Sequence, residues 1–449
     1  MSSARLNIVL MVADDHGLDG GCFGTAVPST PNLDALATEG VNFTQAFCTT
    51  ASCAASRSVM LTGLQNHANG TFGHVHGTHH FSCYDDVVSL PVMLSQAGYR
   101  TARIGKYHHA PEKVFQFDKM LQAAGRNDVQ MSENCQGFIA ESDTPFFLYW
   151  CSMNPHRDGR TLDSHPCKPN RFGNPDEDFP GDQEQFYDDT TLTPPRYLPN
   201  TPEARAEWAQ YCQSVTRLDR GVGRLIDILK KAGKYENTVI IYISDNGAAF
   251  PVAKTTLYDP GMNLPCIVRT PQQQRRGITC DGLTTWTDIT PTILDFAGVD
   301  AADREFHGDS IRPILEQEHP QDWREEIYAA HTFHEITNYY PMRVVRSHKY
   351  KFIFNIAHGL QYSFASDLWR CATWQGARRD GLETFGTRTV DAYLHRPRFE
   401  LFDLENDPDE TVNLADDPAH TALVLEFCEK LQDFQARTND PWLHKWEYE

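Results

Sequence analysis

Asp14 and Asp15 stand side by side at the end of one apolar run, and Asp245 and Asn246 close another run far along the chain. Adjacent carboxylates repel one another, and each makes its neighbour harder to ionise. A hard cation removes that cost, and oxygen ligands suit calcium or magnesium. Asp245-Asn246-Gly247 taken alone is an ordinary turn signal, so its interest lies in its company. Basic and imidazole groups recur in the same pattern. Lys106 and His108 follow a third apolar run, His156 follows a fourth, and Lys254 lies nine residues beyond Asp245. Any one of these side chains alone reads as a solvated surface group. The clustering of Asp14-Asp15, Lys106, His108 and Asp245-Asn246 after apolar runs is a first sign that these groups meet in space.

Such a meeting needs elements that bring distant residues to one place. Residues 7–13, 101–105, 145–152 and 238–244 read as short, continuously apolar strands. Residues 31–39, 89–96, 204–232 and 290–296 carry helical patterns, with Gly98 and Gly233 as stops. Apolar strands alternating with helices predict a mostly parallel central sheet covered on both faces. In such sheets ligands gather beyond the carboxyl ends of the strands. Asp14-Asp15, Lys106 and Asp245-Asn246 all sit at such ends. Past about residue 327 the pattern changes, with 342–347, 349–355 and 399–404 reading as antiparallel strands and 419–436 as a helix. The expected organisation is a catalytic domain over 1–330 and a smaller C-terminal α+β subdomain with an antiparallel sheet over 331–449. The Pro- and Asp-rich stretches 158–188 and 192–202 read as long loops.

The totals narrow the function classes. A chain of 449 residues with 40% hydrophobic and 11% aromatic residues can bury a sizeable core. A net charge of -20 argues against a nucleic-acid partner, which would call for a basic face. The run 8–13 is too short for a membrane span, no other segment is long enough, and no signal peptide is evident. The expected location is therefore the cytoplasm, or the periplasm or lysosome of a chain whose leader has been removed. Twelve cysteines are scattered with no C-x-x-C pair, which predicts buried thiols with one or two disulfides at most.

One cysteine stands apart. Cys53-Ala54-Ala55-Ser56-Arg57, followed by Ser58-Val59-Met60 and Leu61-Thr62-Gly63, resembles the signature of the sulfatase family, formylglycine-dependent enzymes of the alkaline-phosphatase-like superfamily. Ala55 stands where many members have proline, which bears on how efficiently the cysteine is modified. The resemblance implies an alkaline-phosphatase-like α/β fold, oxidation of Cys53 to formylglycine by a formylglycine-generating enzyme, and one divalent ion, calcium with magnesium as the alternative. An aldehyde hydrate supplies an oxygen nucleophile, and the resulting sulfate hemiacetal can collapse by expelling sulfate. By the same resemblance Asp14, Asp15, Asp245, Asn246 and an oxygen of modified Cys53 hold the metal. Gly105-Lys106-Tyr107-His108 and Asn154-Pro155-His156 are similar to further family blocks. They imply that Arg57 holds the hydrate, that Lys106 and Lys254 bind sulfate oxygens, that His108 serves the nucleophile and that His156 protonates the leaving group. Cys53 is expected to open a helix whose N–H groups favour an anion.

Segments outside the shared chemistry extend the likeness over almost the whole chain, toward the sulfamidase branch of N-sulfoglucosamine sulfohydrolases. They include 61–70 (LTGLQNHANG), 89–98 (SLPVMLSQAG), 199–205 (PNTPEAR), Tyr340-Pro341-Met342-Arg343 and Asn439-Asp440-Pro441-Trp442. The branch implies cleavage of a sulfamate S–N bond on a sugar, and makes His334 and Glu335 substrate contacts. A homodimer is compatible with it. The insert 158–180 departs from that branch and is expected to reshape the leaving-group pocket. The alternatives are an O-sulfatase acting on a sulfated sugar or aryl sulfate, a phosphonate or phosphate monoesterase of the same superfamily, and an inactive carbohydrate-binding relative.

Overall fold

The run Asn-Ile-Val-Leu-Met-Val-Ala has no polar face, and in the folded chain it has no exposed face either. In the computed structural model, which describes residues 5–157, 171–175 and 178–448, all seven residues of strand β1 (Asn7–Ala13) are buried. Because side chains alternate across a strand, Ile8, Leu10 and Val12 enter one core and Val9, Met11 and Ala13 the other. The same division holds for β5 (Phe146–Cys151) and β6 (Thr238–Ser244). A strand buried on both sides cannot alternate in polarity, which is why these runs read as continuous apolar segments.

The remaining strands of this sheet are β2 (Val41–Phe43), β3 (Arg100–Gly105), β4 (Lys119–Met120), β7 (Cys266–Arg269) and β8 (Ile278–Cys280). The eight strands lie in the order β4-β3-β5-β1-β6-β7-β2-β8. All neighbouring pairs are parallel except the two made by β7. The register sets Ala13 opposite Ser244 and Val12 opposite Cys151. The carboxyl ends of β1, β5 and β6 therefore finish side by side, with Gly105 of β3 level with Cys151.

Helix α1 (Pro31–Glu39) and the inner half of α3 (Pro202–Lys231) cover one face, with Leu33, Leu36, Leu218, Val222 and Leu225 in that core. The other face is covered by α2 (Cys53–Thr62) and α4 (Ile289–Ala297). A second, four-stranded antiparallel sheet follows, with β9 (Glu326–His331), β10 (Met342–Ser347), β11 (Tyr350–Asn355) and β12 (Phe399–Asp403) in chain order. Helix α5 (Thr421–Arg437) packs Val424, Phe427 and Leu431 onto Val345, Phe352 and Leu401 of that sheet. The fold is thus the mostly parallel sheet with flanking helices and a C-terminal antiparallel sheet that the sequence predicts.

The described residues between 178 and 201 form no helix or strand, as expected for loops. Most of the insert 158–180 lies outside the described residues. The eleven cysteines among the described residues are all free, so the disulfides allowed for in the sequence are not found there. Among the described residues no helix is long and apolar enough to cross a membrane.

Candidate active site

The four strand ends deliver their polar residues to one point. Asp14 and Asp15 leave β1, and the Asp15 backbone N–H donates to Asp245 Oδ1 at 3.0 Å beyond β6. Asp15 takes a positive φ of 69°, a conformation that costs a non-glycine residue about 1–3 kcal/mol and is held only by its surroundings. Two glycines in the motifs are sterically required. A Cβ on Gly247 would lie 2.0 Å from the Pro260 carbonyl oxygen, and one on Gly105 would lie 1.9 Å from that of Cys151. These close approaches let Asn246 and Lys106 turn toward the cluster.

Cys53 is the first residue of α2 and is fully buried, its Sγ 3.7 Å from Asp15 Oδ1. Burial pushes its thiol well above the usual value, with Lys106 and Lys254 opposing the rise, so the unmodified side chain is a neutral and poor nucleophile. One turn on, buried Arg57 bonds Asp245 Oδ2 through Nε at 2.8 Å and approaches Asp14 Oδ1 at 3.8 Å. Lys106 Nζ grips both oxygens of Asp14 at 2.7 and 2.6 Å. Burial drives the Asp14 carboxyl up, but Lys106, Arg57 and Lys254 outweigh it and leave the group below its ordinary value.

Asp15 is different. Burial pushes it up to about 7; Lys254 opposes the rise, and Asp14 and Asp245 add to it. Asn246 Nδ2 donates to Asp15 Oδ1 at 2.7 Å, while its Oδ1 is buried without a hydrogen-bond partner. Asp14, Asp15, Asp245 and Cys53 offer ligand atoms within 4.8 Å of one another. An acid raised toward neutrality by burial, an orphaned amide oxygen and three carboxylates fit a hard divalent ion.

Lys254 Nζ lies 2.9 Å from Asp15 Oδ2, 3.0 Å from Asp367 Oδ2 and 3.3 Å from His156 Nε2. Burial works against its charge, and the two carboxylates more than offset that, so the ammonium is held well above its usual value. His156 follows the turn after β5, where Asn154 donates to Asp128 Oδ2 at 2.7 Å and accepts from Arg217 at 3.2 Å. Its Nδ1 hydrogen-bonds the Arg157 carbonyl, which can only accept. Nδ1 therefore carries the proton and Nε2 accepts from Lys254. Burial, with Lys254 and Lys106, depresses this imidazole well below its usual value and keeps it neutral.

His108 takes a positive φ of 57° and faces His76, Nε2 to Nδ1 at 2.8 Å. His334 Nδ1 is 3.0 Å from Oγ of Ser52, the residue before α2. Glu335 accepts from the Ser366 hydroxyl. Asp14, Lys106, His108, His156, Lys254, His334 and Glu335 line one cavity of about 590 Å³, together with His74, His76, His79 and Asp367. The structure thus gathers all twelve residues singled out from the sequence.

Asp367, His74 and His76 carry no motif, and sequence reasoning missed them. Asp367 reaches the site through a buried network. Arg157 pairs with Glu207 at 2.6 Å, and Glu207 accepts the N–H groups of Ala372 and Thr373 at 3.1 and 2.9 Å. The residue after His156 is thereby tied to the segment after Asp367. An Asp-Leu-Trp at the start of a four-residue helix gives no sequence signal of such a link.

The family model described as Sulfatase matches residues 6–299, and the model described as N-sulphoglucosamine sulphohydrolase, C-terminal, matches residues 251–368. The human N-sulphoglucosamine sulphohydrolase is 35% identical over 461 residues, covering 97% of this chain and 91% of that protein. An ulvan-active sulfatase of Formosa agariphila is 28% identical over 434 residues, covering 94% and 78%. A solved structure in complex with its substrate D-glucosamine-2-N,6-O-disulfate matches with a TM-score of 0.71 at 22% identity, over 99% of this chain and 100% of that one. The phosphonate monoester hydrolase of Agrobacterium radiobacter matches with a TM-score of 0.67 at 19% identity, over 97% and 96%. At these identities the two structures speak for the fold alone. The sulfatase model spans more than half of the chain, and the human relative is matched nearly end to end. The chain belongs to the sulfatase family, hydrolases that act with formylglycine and a divalent metal ion.

Proposed function

We propose that this protein hydrolyses the sulfamate S–N bond of N-sulfated glucosamine or a closely related sulfamate. The supporting observation is that Asp14 of the carboxylate cluster, Lys106, His108 and His156 share one cavity with Lys254, His334, Glu335 and Asp367. The last four lie within residues 251–368, the stretch matched by the sulfohydrolase C-terminal model. We assign the catalytic domain to 1–330 and a smaller C-terminal subdomain to 331–449, which lends His334, Glu335 and Asp367 to the site.

Asp14, Asp15, Asp245, Asn246 and the side-chain oxygen of modified Cys53 would hold one hard ion, calcium first and magnesium second, which would offset the negative charge of the sulfate group. Formylglycine at position 53, installed by a formylglycine-generating enzyme, would supply the nucleophilic oxygen. Arg57 keeps Asp245 and Asp14 in place beneath it. Lys106 and Lys254 exchange their present contacts with Asp14 and Asp15 for sulfate oxygens. His108 orients the nucleophile and takes its proton. His156 delivers a proton to the departing nitrogen from Nε2, taking it up from solvent in place of its present 3.3 Å contact with Lys254. Asp367 fixes the Lys254 ammonium, and His334 and Glu335 contact the sugar.

The test is release of inorganic sulfate from N-sulfoglucosamine by protein shown to carry formylglycine and calcium. Cys53→Ala should release none above background. Hydrolysis of a phosphonate ester by a preparation that frees no sulfate would overturn the reading.

A further inference from the structure

The cavity holds a second cluster of ligand-type groups, built of nitrogen instead of oxygen. The ring centroids of His74, His76 and His108 are 4.8, 4.9 and 4.8 Å apart, a nearly equilateral triangle. One ring nitrogen from each lies within 4.8 Å of the other two. His76 Nδ1 and His108 Nε2 are 2.8 Å apart. His74 is buried, and its Nδ1, like that of His108, has no hydrogen-bond partner. Three imidazoles packed this closely with two orphaned nitrogens leave buried polar groups unsatisfied, a state that calls for a partner.

We propose that His74, His76 and His108 form a binding site for one divalent transition-metal ion of the zinc class, separate from the carboxylate site. Zinc–nitrogen bonds of about 2.0–2.1 Å at tetrahedral angles put ligand nitrogens about 3.3 Å apart. The His76 and His108 nitrogens at 2.8 Å lie close to that value, and the His74 nitrogen lies within 4.8 Å of both, so small side-chain rotations close the site. Burial, reinforced by neighbouring charges such as Lys106, depresses all three rings, so they present lone pairs at neutral pH. Binding requires the one N–H shared between His76 and His108 to move to the far nitrogen of its ring, with no change in net charge. The two sites sort metals by ligand type: carboxylate oxygens take calcium, and imidazoles take zinc, cobalt or copper. The three rings line the cavity, so the fourth coordination position faces the substrate space. A bound ion would occupy a ring nitrogen of His108 and thereby stop turnover. That consequence rests on the proposed role of His108; the binding itself does not.

Cobalt(II) titrated into the calcium-loaded, formylglycine-containing protein reports the site directly, because tetrahedral nitrogen-ligated cobalt absorbs visible light far more strongly than octahedral oxygen-ligated cobalt. One equivalent should develop the tetrahedral bands, and one equivalent of zinc should erase them. His76→Ala, at an exposed position, and His74→Leu should each weaken binding about tenfold or more. Absence of tetrahedral bands, or bands unchanged in both variants, would overturn the site. Histidine-dependent bands together with unimpaired sulfate release would uphold the site and refute the role given to His108. No bands, with activity abolished by His108→Ala, would refute the site and leave that role standing.

Discussion

Lys254 donates to His156, Nζ to Nε2 at 3.3 Å, so the imidazole carries its lone pair, not a proton, on that side. The Arg157 carbonyl at Nδ1 fixes this tautomer. A proton bound for a leaving group must therefore be taken up at Nε2 in place of the contact with Lys254.

If His156 delivers that proton, its loss should matter in proportion to how badly the leaving group needs one. His156→Ala should lower kcat/KM on an alkyl or sugar sulfamate by about 100- to 10,000-fold. On nitrophenyl sulfate, whose phenolate leaves unprotonated, the loss should be far smaller. His108→Ala should slow both substrates. Parallel kinetics on the two substrates check this, and equal damage by His156→Ala would make it a sulfate-binding group.

Asp367 should act through Lys254. Its carboxylate helps hold the Lys254 ammonium above the usual value, and burial, outweighed by Lys254 and His156, leaves Asp367 itself at about 2. Asp367→Asn should lower kcat about 10- to 100-fold. It should also move the alkaline limb of the pH profile to lower pH, because Lys254 loses its proton more easily, and Asp367→Glu should restore part of both. A fall in activity with an unmoved alkaline limb would reduce Asp367 to a packing role.

Metal affinity should depend on pH through Asp15. Its carboxyl is raised to about 7 by burial, with Lys254 opposing and Asp14 and Asp245 reinforcing the rise, so below pH 7 the metal must displace a proton. Apparent calcium affinity should weaken as pH falls below about 7, by up to about tenfold per unit for one proton. The same shift has a stability sign. A raised acid binds more protons folded than unfolded, so the metal-free protein should lose stability as pH rises from about 4 to about 7. Calcium should cancel that loss. Calorimetric titration in buffers of different ionisation enthalpy, and melting with and without calcium, check both statements.

Modification of Cys53 should precede folding. The residue is 0% exposed at the start of α2, where a second protein's active site would have to reach a buried side chain. Unmodified protein purified folded and then given a formylglycine-generating enzyme should keep its cysteine, whereas a peptide spanning 48–65 should be converted. Peptide mass distinguishes the two. Conversion of the folded protein would contradict the buried placement.

The parts of the site legible in the sequence are those that end doubly buried strands. Asp14-Asp15 and Asp245-Asn246 follow runs whose unbroken apolar character comes from burial on both faces, so their shared end of the sheet could be inferred. Strands such as Val41–Phe43 and Lys119–Met120 are too short to show any period and pair only in the folded sheet. Asp367, His74 and His76 were hidden for a related reason. Their placement depends on Arg157, Glu207 and Thr373, and on the backbone bond from His74 N–H to His334 at 2.9 Å, all between residues far apart in the chain.

The ratio of kcat/KM for N-sulfoglucosamine over glucosamine 6-sulfate, measured on one calcium-loaded, formylglycine-containing preparation, tests the central claim most directly. The account predicts a ratio well above one that collapses toward one in His156→Ala, since S–N cleavage needs the proton more. A ratio below one in the unaltered protein would contradict it and mark the enzyme as an O-sulfatase.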